Sequence, residues 1–173
     1  MSSLARGPAE DELSRAVAAF SQLYRERSGA VYAMMLRLTV SQDTAEDLAQ
    51  ETFLRAWRAF PGFRGDAAAA TWLHTIALRV WADWNRTKPV ALVGLESVDE
   101  HTFALELAIA IPDSSAELEL SIARLPTQMR EAVVLHYLHD YSVQEVAVAL
   151  GKAPGTIKAQ LHAARAHLRK ELS

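Results

Sequence analysis

The stretch SVQEVAVALGKAPGTIKAQLHAARAHLRKEL, Ser142 to Leu172, leaves few options for the fold around it. Ser142 and Glu145 form a capping box, which starts a first helix. Gly151 suits the residue after that helix, where a left-handed backbone is needed. Pro154 suits the first turn of a second helix, although Ala153 before it is a poor cap. Val143, Val146, Ala147 and Leu150 make one apolar stripe, and Ile157, Leu161, Ala164 and Leu168 make another. A short helix, a tight turn and a longer helix are the helix-turn-helix arrangement, whose second helix enters a DNA groove. Thr156, Lys158, Ala159, Gln160, His162, Ala163, Arg165 and Arg169 fall on its outward side. Thr156 at the helix N-terminus suits a phosphate, and Lys158 and Gln160 can reach base edges. The competing reading is an amphipathic hairpin with a solvated basic end.

The remaining sequence is also helical. Helices are expected at Glu117–Leu125 and Thr127–His139. In the first half, Asp11–Arg27 and Ala30–Val40 read as two helices. A third is capped by Asp43 and Glu46, with Ala45, Leu48, Ala49, Phe53, Ala56, Trp57 and Phe60 at helical spacing, and ends at Pro61-Gly62. A fourth runs from about Ala67 to Thr87 with Leu73, Ile76, Ala77, Val80 and Trp84 on one stripe, and Pro89 stops it. With only 7 Gly and 6 Pro among 173 residues, few breaks interrupt these patterns. The fold class is all-α, as two small helical domains at residues 1–88 and 116–173, joined by a linker at 89–115. That linker holds five acids and no Lys or Arg. Its middle, TFALELAIAI, alternates in a way that fits a short strand, while its Ala and Glu also permit a helix.

The formal charge of −3 argues against binding nucleic acid by bulk charge. Its distribution says more: residues 142–173 carry five basic and two acidic side chains, so any DNA footprint on the second domain centres there. So few cations give weak binding alone, and a larger partner holding the domain against DNA makes up the difference. The third helix offers a face for such a partner. Opposite its apolar stripe lie Asp47, Gln50, Glu51, Leu54, Arg55 and Arg58, with Leu54 as the one apolar member. An isolated exposed Leu is common, yet a charge-rimmed apolar centre is also what a docking face looks like. On the fourth helix, Trp72, Thr75, Arg79, Asp83 and Arg86 form a stripe, preceded by FRGD, Phe63 to Asp66. Aromatics beside Arg suit stacking on unpaired bases; the alternative is that Trp72 and Trp81 pack against the first two helices.

Taken together, AEDLAQETFLRAW, FRG, TWLHTIA and LPTQMREAVVLHYLHDYSVQEVAVALGKAPGTIK resemble the extracytoplasmic-function (ECF) sigma factors of bacterial RNA polymerase. The resemblance covers about Phe20 to Lys88 and Ala116 to Leu172. It implies an alternative-sigma initiation factor whose partners are core RNA polymerase (the beta-prime clamp and beta flap), promoter DNA and, for many relatives, an anti-sigma factor. It implies polymerase docking through Asp47, Leu48, Gln50, Glu51 and Leu54. It implies minus-ten recognition and melting through Phe63, Arg64, Gly65, Asp66, Trp72, Arg79 and Arg86, and minus-thirty-five recognition through Thr156, Lys158, Gln160, His162 and Arg165. Three departures bear on promoter preference. Arg79 stands where Asn is common, the basic run after the fourth helix shrinks to Arg86-Thr87-Lys88, and Gln160 and Ala163 replace common Arg.

Other classes fit less of the chain. No Cys, Gly-rich phosphate loop or catalytic triad motif points to an enzyme or a cofactor. His136 and His139 share a helix face but lack an acid pair, so no metal is expected. No signal peptide or membrane-length apolar run is visible, and a cytoplasmic location is expected. A plain helix-turn-helix repressor explains only the second domain. A sigma-like decoy that binds proteins but little promoter DNA fits the depleted basic positions.

Overall fold

The computed structural model describes residues 7–63, 69–88, 100–110, 112, 113 and 115–173. Every regular element among them is helical: α1 (Pro8–Thr39), α2 (Gln42–Ala59), α3 (Ala69–Thr87), α4 (Glu100–Ala110), α5 (Ala116–Arg124), α6 (Thr127–Val133), α7 (Val143–Leu150) and α8 (Pro154–Glu171).

The expected pair of helices at the start is one continuous helix. Nothing between Arg27 and Ala30 breaks α1, because Gly29 is tolerated inside a helix and serves another purpose. A Cβ there would lie 3.1 Å from the carbonyl oxygen of Ala110, so glycine lets the end of α4 come close. The cap of α2 also differs from expectation. Ser41, not Asp43, is the N-cap residue, and its side chain accepts the Thr44 N–H. A 3₁₀ turn at Phe60–Gly62 ends α2, where Pro61 cannot continue the ladder.

The linker segment settles as helix, not strand. Phe103 and Leu107, four residues apart, are buried, and Tyr32 donates to Glu106 at 3.2 Å, tying α4 to α1. Burial and the neighbouring Glu106 push the Tyr32 hydroxyl up to about 12. Ile111, the last residue of the alternating run, lies outside the described residues. The helix expected at Thr127–His139 begins as α6 and then widens into a π-turn at Val134–Leu138. The residues just after it bring the His139 ring against His74 and the Tyr141 hydroxyl onto the His74 carbonyl of α3, and π-turns are often found where side chains must be placed for a task.

The second domain forms as its punctuation predicts. Ser142 and Glu145 make both bonds of the capping box, and Gly151 takes φ 63°. Val146, Ala147, Leu150, Ile157, Leu161 and Ala164 are buried. Burying each large aliphatic among them contributes about 1.5–3 kcal/mol. The two domains do not stand apart. Buried residues from α1–α3 and from α5–α8 belong to one continuous cluster, which includes Met35, Leu73 and Trp81 from the first and Ile122, Val134 and Ile157 from the second.

Candidate functional site

Three surfaces hold the expected site residues. The first is the outer face of α2. Its inner stripe, Ala45, Leu48, Ala49, Phe53 and Ala56, is buried, which fixes how the opposite side faces solvent. Leu54 is 50% exposed at the centre of that side, with Asp47, Gln50 and Arg58 exposed around it. Leu48 is 6% exposed and faces the core. It backs the surface and cannot touch a partner, a correction that the helical period itself could have supplied. Glu51 accepts from Arg55 at 2.6 Å, and Arg55 reaches Asp83 of α3 at 2.6 Å. Asp83 also pairs with Arg86. The Arg55 guanidinium, helped by Arg86, holds the Asp83 carboxyl below its usual range. This chain of four charges links α2 to α3, and sequence reading missed it because Arg55 and Asp83 are 28 residues apart.

The second surface lies where α2 meets α3. The Phe63 and Trp72 rings meet at a tilt with centroids 4.6 Å apart, and Phe60 stacks on Phe63 at 6.0 Å and lies 6.3 Å from Trp72. Phe20, Trp57 and Phe60 extend this aromatic row back to α1. Trp72 is therefore half-buried, packed against Phe63, Phe60 and the core, whereas Trp81 is fully core. Arg79 and Arg86 are exposed on the same helix. Arg64, Gly65 and Asp66 lie outside the described residues.

The third surface is α8. Thr156, Lys158, His162 and Arg165 are exposed along it. Gln160 is half-buried: its amide N–H donates to Gln128 of α6 at 3.0 Å, and its carbonyl oxygen is enclosed by protein. In this arrangement Gln160 braces α8 against α6 and does not present a free amide to a base.

His136 and His139 are drawn apart by their partners. The His136 ring is bonded to the Tyr141 carbonyl at 2.7 Å, and the His139 ring meets that of His74 at 5.6 Å. Burial, with His74 and Arg37 nearby, pushes His139 down to about 3. No group of three or more potential metal-ligating side chains occurs among the described residues. None of their helices is long and apolar enough to cross a membrane.

The comparison with known proteins agrees with this layout. Residues 23–88 match the model of Sigma-70 region 2, and residues 115–168 match that of Sigma-70, region 4. The ECF RNA polymerase sigma factor SigM of Mycobacterium tuberculosis is 33% identical over 158 residues, covering 89% of this chain and 77% of that protein. SigW of Bacillus subtilis, also an ECF sigma factor, is 29% identical, covering 89% of each. Among solved structures, the sigma factor RpoE in complex with the anti-sigma factor NepR from Bartonella quintana aligns with a TM-score of 0.59 and 26% identity, over 89% of this chain and 96% of that one. CnrH in complex with the cytosolic domain of CnrY aligns at 0.51 and 26%, over 92% and 93%.

Proposed function

Because the chain belongs to the ECF sigma factors of bacterial RNA polymerase, we propose that its three surfaces divide the work of promoter recognition among them. The chain is an initiation factor that binds core polymerase and directs it to promoters. In this reading residues 1–88 dock on polymerase and open the minus-ten element. Residues 116–173 hold the minus-thirty-five element, and residues 89–115 join the two. The work is done by binding: the cytoplasm is where both polymerase and promoter are met, and no bond is made or broken by the chain itself.

Polymerase docking is assigned to Asp47, Gln50, Glu51 and Leu54. The observation that carries it is Leu54, an exposed apolar side chain ringed by charge on a helix whose other side is fully packed. The aromatic step of Phe63 and Trp72 beside Arg79 suits an unstacked base. On α8, Thr156, Lys158, His162 and Arg165 face DNA, with few cations and so a shallow salt dependence. Polymerase supplies the rest of the affinity, since a tethered domain meets its site at high effective concentration. The RpoE neighbour was solved with an anti-sigma factor, and a protein inhibitor is proposed for this chain as well.

Leu54→Asp tests the docking face. It puts a charge at the centre of a desolvated contact without touching the core. Polymerase capture is expected to fall at least 10-fold, a loss of about 1.4 kcal/mol or more, with unchanged circular dichroism. Wild-type capture by the folded variant would refute the assignment.

A further inference from the structure

The helix α8 has two unlike flanks. Lys158, His162, Arg165 and Arg169 recur at three- and four-residue spacing, so they share one flank, and all are exposed. Gln160 is two residues from both Lys158 and His162, about 200° round the helix from each. It shares the other flank with Thr156 and Ala163, and none of these three is charged. A helix lying in the major groove has a phosphate backbone on either side of it. One flank of α8 meets its backbone with charge. The other offers neutral groups.

That neutral flank is extended by a residue from another helix. Gln128 stands in the first turn of α6, 32 residues before Gln160. The Gln160 amide N–H donates to the Gln128 carbonyl oxygen at 3.0 Å, and the Gln160 oxygen is enclosed by protein without a donor among the described residues. Turning the Gln160 amide over would enclose two N–H groups in place of one oxygen, so the orientation with its N–H toward Gln128 costs less. This bond orients Gln128 as well. Its oxygen faces Gln160, so its amino group faces away, on an exposed side chain. Among the described residues that amino group meets no acceptor.

We propose that Gln128 is a further DNA-contacting residue, an uncharged donor to a backbone phosphate of the minus-thirty-five element, and that Gln160 is the positioning residue that aims it. This rests on the assignment of α8 to that element. Side-chain amides and hydroxyls take part in phosphate contacts, which set register on the duplex without reading its sequence. Thr156, one turn before Gln160, places a hydroxyl on the same flank. An uncharged donor adds affinity without adding a cation, so it leaves the salt dependence where Lys158 and Arg165 put it. It also gives Gln160 a part in recognition although its own amide is turned from the bases: it acts through Gln128.

The test uses holoenzyme assembled from core polymerase and the full chain, with a promoter duplex taken from the mapped transcript starts and a pool of the same duplex randomised over its upstream element. Gln128→Ala is expected to weaken binding about 3- to 10-fold, equally across the pool, with an unchanged salt slope. Gln128→Glu still accepts from Gln160 but offers no donor, and should weaken binding more than Gln128→Ala does. Gln22→Glu, exposed on α1, is the control for added charge and should leave binding near wild type. Gln128→Lys should tighten binding and steepen the salt slope by about 0.9, a gain that misfolding does not produce. Gln160→Ala should lose less than Gln128→Ala. Wild-type binding by Gln128→Glu would overturn the proposal and leave the pair a brace between two helices. A changed base preference in Gln128→Ala would also overturn it. Wild-type holoenzyme that ignores the upstream element would count against the functional reading instead. Retention of the chain alone on random duplex at low salt then still ranks the Lys, wild-type and Glu forms, and equal retention overturns the proposal.

Discussion

Among the described residues, the ion pairs on α2 and α3 and the one between α1 and α5 sit in opposite settings. Glu51, Arg55, Asp83 and Arg86 run across the outer faces of α2 and α3 with their side chains a third or more exposed. Arg37 and Glu119 face each other inside the seam between the domains. In water a pair of charges gains little and is screened by salt. Inside protein the same pair cannot be left half made, because an unmatched buried charge costs several kcal/mol. The outer set is therefore suited to aligning two helices and remaining available to a partner. The inner pair is suited to an all-or-none joint.

That contrast can be broken most severely at Glu119. Glu119→Ala is expected to weaken the packing of the two domains by about 3–5 kcal/mol, since it strands the Arg37 guanidinium. The readout is loss of hydrogen-exchange protection in α5 and α6. Asp83→Ala, in the outer set, should change stability by less than about 1 kcal/mol in a denaturant titration. Equal effects of the two would remove the distinction. A second test compares two leucines on α4. Leu107 is 1% exposed and Leu105 is 52% exposed. Leu107→Ala should cost about 2–4 kcal/mol, whereas Leu105→Ala should stay within about 0.5 kcal/mol.

The response to acid falls between the effects at the buried and the exposed side chains. His139 is neutral in the folded state. Its Nε2 is enclosed without a partner, His74 faces it from α3, and the Arg37 cation acts on it from α1. His74 is lowered too, mainly by burial and then by Arg27. Against an unfolded value of 6.5, His139 is pushed down to about 3, so the folded state binds fewer protons than the unfolded one. The contribution to stability is then complete above pH 6.5 and weakens as pH falls below it, by about 1.4 kcal/mol per unit for one histidine. A denaturant series from pH 7.5 to 5 should show this slope, and His139→Gln should flatten it. A wild-type profile without slope would contradict the placement of His139.

The parts of the fold legible in the sequence are those whose signals are local. The capping box at Ser142, the glycine at 151 and the stripes of α7 and α8 all lie within a few residues of the structure they specify. The same holds for the inner stripe of α2, and Leu54 stands out against it. Expectation and structure part, or the sequence leaves a choice open, where a local signal has a distant cause. Gly29 reads as a break in α1, yet it is there because Ala110 approaches it. The alternation of TFALELAIAI reads equally as strand or helix, and contact of Phe103, Glu106 and Leu107 with the rest of the protein decides for helix. The placement of Leu48 in the docking set followed a resemblance, while its own period puts it in the core. The seam was not legible at all, because its pairs, Arg37 with Glu119, Tyr141 with His74 and Lys88 with Glu131, are 82, 67 and 43 residues apart.

The most direct test of the account is run-off transcription over fragmented genomic DNA, using core polymerase with and without this protein and sequencing the new transcript ends. Discrete starts that share two spaced upstream elements are expected, with Leu54→Asp abolishing them. The account is contradicted if polymerase binds the protein in the same tubes and yet no new start appears.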